Sequence, residues 1–153
     1  MANGFAVFGL AHSNALRSRG RRMAKKTRTK GYSDKSFIVI GTHGDEDVEK
    51  ATMAFACAGA STALGIKTKV LLTANGVKLA QKGFADKLPR VKGMASIKEL
   101  MTAFVDGGGA LQVCIPCLES RGIRKDSFLK GTQFINLMDF AAQTLDADRV
   151  FTC

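Results

Sequence analysis

Two cysteines separated by two residues, Cys114 and Cys117, stand where an apolar run, ALQVCI (110–115), meets a proline. Pro116 fits the first turn of a helix, where its missing N–H costs nothing. A thiol at such a junction faces amide N–H groups and the positive end of a helix dipole, both of which favour the thiolate, and Arg121 adds charge of the same sign. The thiolate is the form that attacks or carries sulfur. Cys114 is therefore expected to be the more acidic, nucleophilic thiol and Cys117 the supporting one. His43, in the loop after another apolar run, is a candidate proton shuttle.

Other chemistries compete for the same residues. Free Cys is often no more than a small buried hydrophobe. A thioredoxin-like dithiol has this spacing, but it follows the first strand of its fold and has a later cis-proline loop; here the pair follows the third strand and no later Pro exists. Zinc needs four ligands, and only His43, His12 and Cys153 remain to complete a set. Asp45-Glu46-Asp47 invites comparison with a magnesium-binding receiver domain. That design needs an Asp ending strand three and a Lys ending strand five, where this chain has Cys114 and Phe151. Neither G-x-G-x-x-G nor a Walker pattern occurs. No cofactor and no metal are expected. Cys57 reads as core.

The elements that would position the thiols follow from periodicity. FIVIGT (37–42), TKVLLTA (68–74), ALQVCI (110–115), TQFINLM (132–138) and DRVFTC (148–153) read as strands, mostly continuous apolar runs of the kind buried on both faces. Between them lie helical segments at 47–64, with Asp45 or Asp47 as cap, at 76–83, at 96–109 with a Ser96/Glu99 capping box, at 125–130 and at 139–145. The alternation predicts one α/β domain: a flavodoxin-like, doubly wound, five-stranded, mainly parallel sheet with helices on both faces. The default strand order is 2-1-3-4-5. That order places the ends of strands one and three together, and with them His43 and Cys114.

Composition sets further limits. A chain of 153 residues that is 46% hydrophobic supports one core. Its net charge of +10 is carried by residues 1–36, where nine Lys or Arg face only Asp34; residues 37–153 are close to neutral. The basic segment reads as a disordered extension before a domain at 37–153. Three readings of it stand: an arm for anionic surfaces, a targeting segment, or a leader before a natural start at Met23. With no Trp and one Tyr, the chain lacks the stacking surface of a nucleic-acid binder. No apolar run is long enough to span a membrane. Four cysteines beside a full core suit free thiols in a reducing cytoplasm. The segment 50–63 is apolar around most of its circumference, which predicts a second cover from another subunit.

Residues 37–153 resemble the DsrE/DsrF-like family, which takes in the sulfur-relay subunit TusD and the YchN-like proteins. The resemblance rests on FIVIGT with EKATMAFACA, on LLTANGVKLAQKG, on LQVCIPCLESRGI and on ADRVFTC. In one branch the persulfide-carrying cysteine lies eight residues before the glycine of the third motif, as Cys114 does before Gly122; in another it lies five before, as Cys117 does. The resemblance implies sulfur relay: a cysteine, with Pro116, Arg121 and Gly122 shaping its surroundings, holds sulfane sulfur as a persulfide and passes it to a partner thiol. It also implies sulfurtransferase activity, donor and acceptor proteins, and a homotrimer or homohexamer. The residues themselves leave open a CxxC thiol–disulfide redox protein and a non-catalytic, oligomeric ligand-binding scaffold.

Overall fold

The computed structural model describes residues 31–153, so most of the basic segment, His12 and Met23 lie outside the described residues. In chain order the elements are β1 (Ser36–Gly41), α1 (Val48–Ala63), β2 (Lys67–Leu72), a 3-10 segment Ala74–Ala80, α2 (Ile97–Asp106), β3 (Ala110–Cys114), α3 (Ile115–Glu119), β4 (Gln133–Ile135), α4 (Leu137–Asp146) and β5 (Arg149–Thr152), with two further 3-10 turns at Ala85–Lys87 and Lys125–Ser127. All neighbouring strands pair in parallel. The expected doubly wound α/β architecture is present.

The strand order differs from the expected one. It is β4-β3-β2-β1-β5, so β2 separates β1 from β3. The apolar runs explain why. Val70, Leu71 and Leu72 are buried, as suits a strand with neighbours on both sides, whereas the order 2-1-3-4-5 would leave β2 at an edge. The short β5, exposed along its length, takes that edge beside β1 instead.

Strand alternation divides the core in two. Val39, Val70, Leu72, Leu111 and Val113 face one layer, packed with residues of α1 and α2. There the Phe55 and Phe104 rings meet edge-on, 6.2 Å between centroids. Asp47 caps α1 by accepting from the Lys50 amide at 3.0 Å, and Ser96 and Glu99 form the expected capping box on α2. Ile38, Leu71 and Ile135 face the other layer, with Phe140 and Ala147 beside them. This second layer is thin. No residue of α4 is buried, and Leu137, Met138, Leu145, Val150 and Phe151 are exposed. The Ala-rich α1 buries Ala51, Ala54, Phe55 and Ala58 but leaves Met53 open, as is Leu64 at its carboxyl cap. No described segment covers that outer side.

Candidate functional site

The thiol pair sits at the carboxyl end of the sheet. Cys114 is the last residue of β3 and the cap of α3, whose first turn contains Pro116. Three backbone bonds close the far end of α3: Arg121 N and Ile123 N to Leu118 O, and Gly122 N to Glu119 O. Gly122 has φ +62°, a conformation that side chains resist, and so turns the chain back. It therefore shapes the exit of the helix, not its start. Both thiols are free; Cys114 is 2% exposed, whereas Cys117 is half-buried.

The expectation that Cys114 is an acidic thiol is corrected. Burial pushes its pKa up to about 11, and the neighbouring Cys117 thiol pushes the same way. The Cys117 amide and the Arg121 guanidinium pull it down without prevailing. The magnitudes account for this. A helix terminus contributes about 0.3–1 kcal/mol, less than one pKa unit, and α3 is a single short turn. Burial of an ionisable group moves its pKa by up to about 3–5 units.

Arg121 is tied down on three sides. Its Nε and Nη2 donate to Asn75 Oδ1 at 3.1 and 3.0 Å, and its Nη1 donates to Cys117 O at 2.9 Å and to Ser120 Oγ at 3.2 Å. Asn75 belongs to the segment after β2, so β2 supplies the neighbour of Cys114 that strand one was expected to supply.

His43 is not brought beside Cys114 by strand pairing, because β2 intervenes. Its Nδ1 lies 2.9 Å from Thr42 Oγ1, which itself donates to Cys153 O at 2.6 Å. With the hydroxyl proton spent on that carbonyl, His43 Nδ1 is the donor to Thr42 Oγ1. Cys153 N in turn bonds Ile40 O. The point where strand order reverses thus lies between β1 and β5, with Thr42, His43 and Cys153, two strands from the thiol pair. Cys57, on α1, lies close enough to Cys153 to act on its charge; burial first and Cys57 second push the Cys153 thiol up.

A family model described as the DsrE/DsrF-like family matches residues 35–153. The chain belongs to the DsrE/DsrF-like family. It is 28% identical over 116 residues to an uncharacterized protein of Methanocaldococcus jannaschii, covering 76% of this chain and 97% of the relative. A second uncharacterized relative, from Methanopyrus kandleri, is 26% identical over 103 residues, covering 67% of this chain and 80% of its own. Among solved structures, the YchN protein of E. coli superposes with a TM-score of 0.65 at 17% identity, over 78% of this chain and 99% of that one. A conserved protein of unknown function from Bacteroides thetaiotaomicron gives a TM-score of 0.56 at 12% identity, over 82% and 100%. These structural likenesses bear on the fold.

Within this DsrE/DsrF-like domain, sequence reasoning singled out Cys114, Cys117, Pro116, Arg121 and Gly122, and the structure gathers all five around α3. It missed Asn75. The sequence placed it just ahead of a helical segment at 76–83, and nothing in the spacing showed that it would reach Arg121. A cleft of about 650 Å³, lined by Met101, Leu111, Leu129 and Thr132 among others, lies toward the opposite, amino-terminal ends of β3 and β4. No helix among the described residues is long and apolar enough to cross a membrane.

Proposed function

We propose that this protein is a cytoplasmic sulfur carrier whose working group is the Cys114–Cys117 pair. The observation that supports it most directly is the placement of both thiols at the carboxyl end of β3, Cys114 ending the strand and Cys117 in the turn that follows, with Cys117 and Arg121 both acting on the Cys114 proton. Cys117, the more open thiol, meets the donor first. Its thiolate attacks the outer sulfur of a donor persulfide, R–S–S⁻; a new S–S bond forms on Cys117 and R–S⁻ leaves. An acceptor thiolate then attacks the outer sulfur of that persulfide, takes it, and Cys117 leaves as thiolate. The buried Cys114 is the resolving thiol. Deprotonated, it attacks the inner sulfur, expels sulfide as HS⁻ and closes a Cys114–Cys117 disulfide, so two thiols are oxidised as one sulfane sulfur is reduced. This reverses the assignment of primary thiol drawn from the strand–helix junction, for the physical reason that Cys114 is buried.

The partners are donor and acceptor proteins and further copies of this chain, in a homotrimer or homohexamer. The exposed apolar residues on the outer side of α1 and on α4 and β5 are the surfaces such an assembly would cover.

Mass spectrometry after incubation with a low-molecular-weight persulfide tests the reading. One added sulfur atom on Cys117, persisting in Cys114→Ser and absent in Cys117→Ser, is the expected result. Sulfur held only on Cys114 restores that thiol as the carrier. A Cys114–Cys117 disulfide with no persulfide in either variant favours the dithiol redox reading.

A further inference from the structure

We propose that Asn75 is the positioning residue of the thiol site, holding the Arg121 guanidinium in place through its side-chain oxygen and through the loop that presents it. The role assigned here to Arg121 rests on the carrier reading; the placement by Asn75 does not.

Asn75 lies where three segments at this end of the sheet come close, those around Gly44, Gly76 and Arg121. Its amide oxygen takes two N–H groups of Arg121, and the Glu46 carboxylate lies near its side chain. A guanidinium only donates, so Arg121 fixes which end of the amide faces it. Glu46 in turn accepts from Gly44 N at 3.1 Å. Asn75 and Arg121 thus link the segment after β2 to the turn after α3, and Arg121 delivers the last connection to Cys117 O.

The backbone on either side of Asn75 leaves it little freedom. Ala74 has φ +45°, a left-handed conformation that a non-glycine residue adopts only under strain. Gly76 donates to Thr42 O at 3.0 Å, and a Cβ on Gly76 would fall 2.3 Å from Gly41 O, so only glycine allows this approach. On the other side, a Cβ on Gly44 would fall 2.7 Å from Asn75 O. Strain of this kind persists only where surrounding contacts over-determine it. Here those contacts converge on one amide whose outward partner is the cation beside the thiols. An Arg placed by a fork on a fixed acceptor keeps its charge at one point; released, it samples solvent as any exposed Arg does.

The test compares an anionic and a neutral alkylating reagent of similar size, iodoacetate and iodoacetamide, on the full chain, with peptide mass analysis resolving each thiol and Cys57 as internal reference. A fixed guanidinium raises the iodoacetate-to-iodoacetamide rate ratio at Cys117 and Cys114; a change in accessibility alone moves both rates together. Asn75→Ala is expected to lower that ratio about threefold, equivalent to roughly half a unit on a pKa scale. Arg121→Ala is expected to lower it as much or more, and the double variant no further than Arg121→Ala alone. Should Asn75→Ala fail to fold, Asn75→Ser keeps a polar side chain but draws the acceptor oxygen back from Arg121, and should show the same non-additivity with Arg121→Ala. Additive losses, or a ratio that Asn75→Ala leaves unchanged, overturn the proposal. Because no persulfide enters this measurement, a protein that fails to load sulfur but keeps the coupling sinks the carrier reading and leaves the role of Asn75 standing.

Discussion

The two faces of the sheet are built to different depths. On one, α1 and α2 close over Val39, Val70 and Val113 with Phe55 and Phe104 fully buried between them. On the other, Ile38, Leu71 and Ile135 are covered by α4, which keeps a half-buried Phe140 toward the sheet and leaves Leu145 85% exposed. The polar tie Lys69 Nζ to Gln143 Oε1, 2.7 Å, joins that helix to β2. The difference teaches that the first face carries most of the stability of an isolated chain, while the second keeps apolar surface open.

Core truncation should break the comparison most sharply. Phe104→Ala removes a fully buried ring and is expected to cost about 3–5 kcal/mol in denaturant unfolding, whereas Phe140→Ala should cost about 1–2 kcal/mol. Equal losses would mean that the second face is as deeply packed as the first.

Alkali should act next, at the thiol site. The folded state holds the Cys114 proton up to about 11, above the ordinary thiol value of 9.0. Its contribution is fully present below pH 9 and is lost as pH rises through 11, because the unfolded chain releases the proton first. Cys114→Ala should flatten that alkaline decline in thermal melts recorded across pH.

In acid the expected decline starts at the β5 edge. Lys35 and the Ser36 amide and hydroxyl hold the Asp148 carboxyl down to about 2, from 3.8. A depressed carboxylate stabilises the fold above pH 4 and loses that contribution as pH falls through 2. Hydrogen exchange in β5 should accelerate over that window before exchange in β2 does, and Asp148→Asn should remove the pH dependence of the difference.

The smallest effect on the folded chain is expected from Leu145→Lys, within about 0.5 kcal/mol, since the side chain already meets solvent. Light scattering makes this variant informative. An assembly that dissociates with Leu145→Lys but survives Ala56→Glu assigns the contact to α4; the converse assigns it to α1.

What the sequence made legible was local. The capping box of α2 could be read because Ser96 and Glu99 stand three apart, and the thiol turn because Pro116 follows a strand pattern. β4 was read too long, as 132–138, since Phe134, Ile135, Leu137 and Met138 look like one apolar run. Asn136 interrupts it by accepting from the Asp139 amide at 2.9 Å, which starts α4 at Leu137. Strand order escaped because an apolar run shows that a strand is buried, not which strands bury it. The misplacement of His43 followed from that order alone. The proton held by Cys114 escaped for another reason: dipole and charge can be read from neighbouring residues, but desolvation depends on everything packed around the sulfur.

The pairing of β5 with β1 has a consequence for how the chain is made. Asp148 reaches Ser36 across 112 residues, and Cys153 closes on Ile40 and Thr42. During synthesis β1 to β4 emerge in the order in which they pair, each new strand adding to the outer edge of the one before. The inner strand β1 must wait with a bare edge until the residues after Asp148 leave the ribosome. An N-terminal nascent fragment is thus a four-stranded sheet with one of its most apolar strands unprotected, the state in which sheets invite a foreign strand. The last few residues act as the latch that ends this interval.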